Sequence, residues 1–198
     1  KAGGVEINTG SLSVLNGAQL SANTEGIGNA GSVKINATDK VIFDRQGSGK
    51  STGAFSQVES GGEGKAGGVQ INTASFSVLN GARVSASTNG IGDAGSVKIT
   101  ATDNLIFDGQ GSGKSTGAFS QVNSKGEGNA GGVQINTGSL SVLNGARISS
   151  STRGKGDAGS VEISAKTFEA NNGSTIASRT STEFTAGNII LNVTDNIT

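Results

Sequence analysis

The chain has 198 residues, of which 34 are glycine and only 32% are apolar, and its 15 basic and 15 acidic side chains give a net charge of zero. It contains no histidine, cysteine, methionine, proline, tryptophan or tyrosine, which removes the commonest metal ligands, the usual general base and the thiol nucleophile. Zero net charge also argues against nucleic acid or an anionic membrane as a partner, so we predict a non-catalytic protein with no cofactor, no metal and no membrane insertion.

The chain is built from internal repeats. Residues 1–64 align with 65–128 without a gap, and a third copy begins at 129. Each unit divides again, because KAGGVEINTG at residue 1 recurs as NAGSVKINAT at residue 29. A period of this length is typical of solenoids, which stack one coil on the next. The predicted coils are 1–28, 29–64, 65–92, 93–128, 129–156 and 157–184, with the start of a further coil at 185–198.

The first predicted element of every coil is a strand with one buried face. Val5 and Ile7 are apolar and Glu6 between them is polar, and this alternation recurs at each coil start. The outward Glu6 is expected to face Lys34 of the next coil. Two columns of core residues follow: Val5, Val33, Val69, Val97, Val133, Val161 and Ile189, and Ile7, Ile35, Ile71, Ile99, Ile135, Ile163 and Leu191.

Two further strands are predicted in the same coil, SLSVL from residue 11 and AQLSA from residue 18. Glycine-rich segments such as LNGA, GIG and NAGG lie between the strands and supply corners. Because one coil cannot bury its own apolar face, each strand is expected to pair with its equivalent in the next coil. The prediction is an all-β parallel β-helix with three strands per coil and about six to seven coils.

The longer coils carry an insertion that resembles a phosphate-binding loop. GQGSGKST occupies 109–116, but only three residues separate Gly109 from Gly113, and Asp108 stands where the motif needs its first glycine. No helix pattern follows; GAFSQV, a predicted strand, does. We therefore interpret 45–53 and 109–117 as loops at a coil corner, with surface contact as the alternative. The candidate contact residues are Gln46, Ser48, Lys50, Gln110, Ser112 and Lys114.

Carboxylates bracket the strand before each loop, and we considered them as a catalytic pair. Asp39 and Asp44 could lie up to ~17 Å apart on an extended strand, beyond the roughly 5 to 9.5 Å that glycosidic chemistry uses. Asp103 and Asp108 repeat the arrangement. Corner carboxylates that accept hydrogen bonds from backbone N–H groups are the preferred interpretation, and no catalytic residue is named.

The threonine column is considered for a surface function, and the phenylalanines are considered as core residues. Thr24, Thr88 and Thr152 are equivalent, but only in alternate coils, so they give weak support to an ice-binding array. The phenylalanines are predicted to fill the wider parts of the core: Phe43, Phe55, Phe76, Phe107, Phe119 and Phe168.

The segment from 53 to 100, GAFSQVESGGEGKAGGVQINTASFSVLNGARVSASTNGIGDAGSVKIT, resembles the repeat region of cyanobacterial filamentous-haemagglutinin-like exoproteins of the two-partner secretion class. The resemblance extends over essentially the whole chain. It implies a right-handed parallel β-helix, export across the bacterial outer membrane, and a role as an extracellular shaft or adhesin. That family's amino-terminal secretion domain has no counterpart in these residues. Because the chain contains no methionine, we expect an excised fragment of a longer protein.

These expectations combine into one functional hypothesis with two alternatives. The main hypothesis is a non-catalytic shaft segment of a secreted, extracellular or cell-surface-associated bacterial fibrous protein. Its expected partners are further coils of the same or a like chain, added at uncapped ends, and cell-surface or matrix glycans. The first alternative is a carbohydrate- or surface-binding adhesin module that presents loops 45–53 and 109–117; the second is an ice-binding β-helix.

Overall fold

The computed structural model describes residues 2–181 and 183–198, and within them every regular element is a β-strand. The strands are β1 (Val5–Leu15), β2 (Gln19–Ser21), β3 (Val33–Asp44), β4 (Gly53–Phe55), β5 (Val69–Leu79), β6 (Arg83–Ser85), β7 (Val97–Asp108), β8 (Gly117–Val122), β9 (Val133–Leu143), β10 (Arg147–Thr152), β11 (Val161–Ala170), β12 (Thr175–Ala177) and β13 (Ile189–Ile197). This part of the chain therefore includes no helix that could cross a membrane.

The strands form two parallel sheets. The long strands make a seven-stranded sheet in the order β1-β3-β5-β7-β9-β11-β13, and the short strands make a six-stranded sheet in the order β12-β10-β8-β6-β4-β2. Val5 is paired with Val33, which is paired with Val69, and the same register continues to Ile189. The prediction of an all-β stack of parallel strands is confirmed, and it follows the predicted valine column.

The division of each coil differs from the prediction. The two stretches expected as separate strands form one strand, β1, whose pairing with β3 shifts register between Thr9 and Ser11. The polar residues at this point have the sequence pattern of a turn. In the structure, β3 has one extra residue there, which forms a bulge. The bulge changes the phase of the alternation without ending the strand. Beyond β2, isolated bridges such as Thr24 with Val58 continue the pairing. The prediction of three strands per coil was wrong in this respect.

The corner after each long strand is a left-handed turn. Asn16 has a φ of 50° and is followed by Gly17 at 87°, and the same pair recurs at Asn80, Asn144 and Asn172. Asparagine and glycine tolerate this region of φ/ψ space better than other residues do. The turn directs the chain from the long-strand sheet into the short-strand sheet.

One apolar core lies between the sheets. Fully buried valine, isoleucine and alanine side chains from both sheets belong to it, together with Phe43 and Phe76, whose rings meet edge to face at 5.0 Å. Phe107 and Phe168 also lie in this core. The expectation for the other two phenylalanines was wrong: Phe55 and Phe119 are buried, yet they lie outside the core cluster. Their strand neighbours Ala54 and Ala118 point into the core, so the phenylalanines lie on the opposite face.

Polar side chains continue the stacking outside the core. The amide of Asn36 donates to Asn8 at 2.8 Å and that of Asn72 donates to Asn36 at the same distance. Lys34 and Glu6, predicted as cross-strand neighbours, form an ion pair at 3.4 Å. Because both side chains are largely exposed, this pair contributes little to stability.

Candidate functional site

The predicted contact loops are compact turns in which several backbone donors are already used within the turn. Gln46 and Gln110 are exposed and adopt positive φ, and the N–H of Gln110 donates to Asp108 Oδ1 at 2.9 Å. The N–H of Ser112 donates to the carbonyl of Gly109 at 2.9 Å, and that of Lys114 donates to Ser112 Oγ at 3.3 Å. A phosphate-binding loop needs such N–H groups free and converging on the ligand. Here the N–H groups of Gln110, Ser112 and Lys114 are bonded within the turn instead.

The first copy of the loop has the same internal bonds. The N–H of Gln46 donates to Asp44 Oδ1 at 3.0 Å and the N–H of Lys50 donates to Ser48 Oγ at 3.1 Å. Arg45 adds a bond from its Nε to the carbonyl of Lys50 at 2.9 Å. The lysine side chains at 50 and 114 are exposed. The six predicted contact residues thus lie on two separate surface turns.

The corner aspartates are structural acceptors. Asp108 Oδ1 receives the N–H of Gln110 and also the side-chain amide of Asn144, at 2.8 Å. Asp44 Oδ1 makes the same contacts with Gln46 and Asn80. Among residues 2–181 and 183–198, no group of three or more acidic residues is placed to hold a metal ion.

The threonines considered for ice binding do not form a surface array. Thr88 has 0% exposure and Thr152 has 1%. In the stack they alternate with Val58 and Val122. Their hydroxyls are therefore not presented to solvent at a regular spacing.

A groove on the outer face of the short-strand sheet has the chemistry of a binding site. It lies on the side of β6, β8 and β10 that faces away from the core and has a volume of about 400 Å³. Side chains at alternate positions of neighbouring strands point into the same space. The lining residues are Gln57, Arg83, Asn89, Ser115, Phe119, Gln121, Asn123, Arg147 and Arg153, and we call this set the arginine groove.

One of its arginines, Arg83, is held in place by packing. The guanidinium carbon of Arg83 lies 5.0 Å from the ring centroid of Phe119, which is itself only 2% exposed. This is a cation–π contact on a buried aromatic platform. Burial also lowers the pKa of the Arg83 guanidinium below its ordinary value, although an arginine remains charged at neutral pH.

Arg83 and Arg147 each have a side-chain donor without an acceptor. The Nε atoms of Arg83 and Arg147 are shielded from solvent and have no hydrogen-bond partner. Buried polar groups are nearly always paired, because an unpaired donor loses its bond to water without replacement. The unpaired Nε donors of these two lining residues show that the protein supplies them with no acceptor.

The amide groups of the groove are anchored at one end. Gln121 donates through Nε2 to Ser149 Oγ at 3.1 Å, and Asn123 donates through Nδ2 to Asn89 Oδ1 at 2.8 Å. Gln57 makes the bond equivalent to that of Gln121, to Ser85 Oγ at 3.0 Å. These bonds fix the side chains and leave further donor and acceptor capacity on each amide.

The charge of the groove is entirely positive, and the repeat supplies a contrast. The lining includes three arginines and no carboxylate. Outside the lining, Glu59 accepts a hydrogen bond from the Asn89 amide at 3.4 Å. In the first 64-residue unit, the positions of Arg83 and Asn123 are occupied by Gln19 and Glu59. The groove therefore depends on residues of the second and third units that the first unit does not repeat.

Sequence reasoning missed this groove because it treated differences between repeats as neutral. Arg83 lies in NGARVS where the first unit has NGAQLS, and Arg147 lies in NGARIS. The available signal was an arginine in the second and third units at an outward strand position where the first unit has glutamine. Of the predicted loops, only the second contributes to the lining, through Ser115.

A second cavity, of about 410 Å³, lies on the outside of the long-strand sheet. Its lining includes Lys98 and Glu162, which have opposite charges, and both side chains are exposed. It has none of the unpaired buried donors that distinguish the arginine groove.

The chain matches no family model, no curated protein and no solved structure.

Proposed function

We propose that this chain is a shaft segment of a secreted, extracellular fibrous or adhesin-like bacterial protein, and that it catalyses no reaction. The observation that carries the proposal is the unbroken register from Val5 to Ile189, in which each long strand is bonded to the next. Such a stack can lengthen by adding coils without changing its cross-section, which is what a shaft requires. The resemblance to filamentous-haemagglutinin-like exoproteins supports the secreted, cell-surface location.

The proposal also includes the handedness of the coil, its number of sides and its rise. We propose a right-handed coil, because connections between parallel strands of one sheet are right-handed in nearly all proteins. The isolated bridges after each short strand, such as Ile27 with Glu63 and Glu63 with Ile91, support a third side to each coil. Six to seven coils at ~4.8 Å each would rise roughly 30 Å.

Lengthening the repeat tests the shaft. A variant in which residues 65–128 are duplicated gains two coils, and we expect small-angle scattering to show a maximum dimension longer by about 10 Å with an unchanged cross-sectional radius. The parent chain is the control. An increase in the cross-sectional radius, or a disordered insertion, would refute the proposal.

The proposed location is tested separately. Antibodies against this segment should label intact cells of the source organism, and external protease should remove the label without lysis. Label found only after permeabilisation would refute a secreted shaft and would leave the stacked fold unaffected.

The loop-based alternative stays a prediction with its own test. A carbohydrate-binding role for loops 45–53 and 109–117 requires that shortening either loop weakens retention on glycan-coated beads. The internal bonding of both turns gives this alternative less support than the arginine groove receives.

A further inference from the structure

We infer that the arginine groove binds a carboxylate-bearing sugar, a uronic acid unit of an acidic polysaccharide, with its carboxylate between Arg83 and Arg147. This goes beyond the proposed shaft function, which would stand if the groove bound nothing. The inference rests on the register of the two arginines, their unpaired donors, the amides around them and the differences between repeats.

The two arginines flank a gap in the sheet surface. Arg83 is paired with Gly117, and Gly117 is paired with Arg147, so the arginine Cα atoms are two strand spacings, or about 9.6 Å, apart. Gly117 has no side chain to fill the space between them, and a Cβ there would overlap the carbonyl oxygen of Arg147. At this register position β8 therefore places no side chain between the two arginines.

The unpaired donors point to a planar anion. A guanidinium binds a carboxylate through two parallel N–H bonds, and its Nε–H can be one of the pair. The Nε atoms of Arg83 and Arg147 lack acceptors. Because both Nε atoms are shielded from solvent in this arrangement, binding a carboxylate through Nε requires one guanidinium to reorient towards the groove. Phe119 beneath Arg83 keeps that side chain over the groove.

The remaining lining suits sugar hydroxyls. Gln57, Gln121, Asn89 and Asn123 present amides, each of which can both donate and accept, and Ser115 adds a hydroxyl. Hydroxyl groups of a sugar ring also donate and accept, so they can satisfy such a set from one side of the ring. The cavity volume of about 400 Å³ falls within the range of small-molecule sites.

Other anionic partners fit less well. A nucleic acid base needs an exposed aromatic face, and Phe119 is buried beneath Arg83. An extended peptide needs a free strand edge, whereas β8 is paired on both sides, with β6 and β10. Binding of an acidic peptide is tested directly with polyglutamate.

The test compares a charged probe with its neutral methyl ester. Trigalacturonate, and the same trisaccharide with its carboxylates methyl-esterified, are titrated into the whole chain by calorimetry and by ¹⁵N NMR. We expect binding of the acid, with shifts at Phe119 and Gln121, and binding of the ester weaker by about tenfold or more. Equal binding of the two probes, or no binding of either, would overturn the inference.

Variants locate the site. Arg83→Gln and Arg147→Gln should each weaken trigalacturonate binding by about tenfold or more, because each removes a charged donor pair. Glutamine is the natural residue at the equivalent position 19, so the fold should tolerate Arg83→Gln. The matched control is Lys98→Gln, which removes an exposed cation from the other sheet and should leave affinity unchanged. Loss of binding in the control alone would overturn the assignment.

A third probe tests the sugar itself. Polyglutamate has the carboxylates but none of the hydroxyls, and we expect it to bind more weakly than trigalacturonate at equal carboxylate concentration. Equal or tighter binding of polyglutamate would overturn the saccharide assignment. The comparison uses the parent chain and does not depend on any variant folding.

Discussion

Ser150 lies directly beside Ser120 in the pairing of β10 with β8, yet only Ser120 has hydrogen-bond partners for its hydroxyl. Ser120 Oγ donates to the carbonyl of Gly95 at 2.8 Å and accepts the N–H groups of Gly131 and Gly132. Ser150 Oγ is buried with no partner. One hydroxyl fastens a corner of the coil, whereas its neighbour is a buried polar group without compensation.

Alanine at these two positions should have opposite effects. Ser120→Ala leaves two glycine N–H groups without an acceptor and should lower the free energy of unfolding by about 1–3 kcal/mol. Ser150→Ala removes an unpaired hydroxyl and should leave stability unchanged or raise it by up to about 1 kcal/mol. Alanine already occupies the equivalent positions 22 and 86. Urea unfolding of both variants makes the measurement, and equal destabilisation would contradict the hydrogen-bond assignment.

Two glycines of the first loop should differ sharply in tolerance. Gly53 has a φ of 135°, and a Cβ there would overlap the carbonyl oxygen of Arg83, whereas a Cβ on Gly49 meets nothing within 4 Å. Gly53→Ala should therefore disrupt the pairing of β4 with β6 and lower the thermal midpoint, and Gly49→Ala should leave it nearly unchanged. Thermal unfolding followed by far-ultraviolet circular dichroism checks this. A tolerated Gly53→Ala would show that the short strands are less closely stacked.

Phe107 should be one of the most sensitive core positions. Its side chain is fully buried in the core, so Phe107→Ala should cost about 3–5 kcal/mol through lost transfer energy and a residual cavity. The matched control is Ile106→Ala on the same strand, where the side chain is half-buried and faces away from the core. Chemical unfolding should show a clearly smaller loss for the control. Similar losses would mean that the faces of β7 are wrongly assigned.

The ion pair between Lys65 and Asp93 should be visible in acid. The N–H of Asn129, at 3.0 Å, and then the Lys65 ammonium, at 2.9 Å, hold the pKa of Asp93 below its ordinary value. The stabilisation is therefore present above the unfolded-state pKa of the carboxyl and is lost as pH falls through the lower folded-state pKa. Lys65→Ala should raise the Asp93 pKa only in part, because the backbone donor remains.

Carboxyl ¹³C NMR over an acid titration measures the Asp93 pKa directly. A parent Asp93 that titrates at or above the ordinary value for aspartate would contradict the assigned hydrogen bonds.

The fold could be predicted because its determinants are local and repeated. The alternation at Val5 and Ile7 recurs in every coil, and asparagine and glycine mark the left-handed corner at 16 and 17. The bulge after Thr9 could not be foreseen, because a phase break in the alternation has the same sequence pattern whether the strand ends or bends.

The arginine groove could not be predicted from the same patterns. Its character depends on which face of β8 carries Phe119, and the expectation placed that residue in the core. Once the ring is on the outer face, it supports Arg83 and leaves the guanidinium partly desolvated. Burial of this kind arises from packing between neighbouring coils, which the sequence of one coil does not reveal.

Distances along the Glu6 column test the stacked arrangement most directly. The column runs through the pairs Glu6 with Lys34 and Gln134 with Glu162, and the chain has no cysteine to interfere with spin labelling. Cysteine variants labelled at 6 with 98, 6 with 134 and 6 with 162 span three, four and five strand spacings, or about 14, 19 and 24 Å. Pulsed electron resonance should give label separations that increase by about 4.8 Å per coil. Separations that do not increase in this order would contradict the stack and the shaft proposed from it.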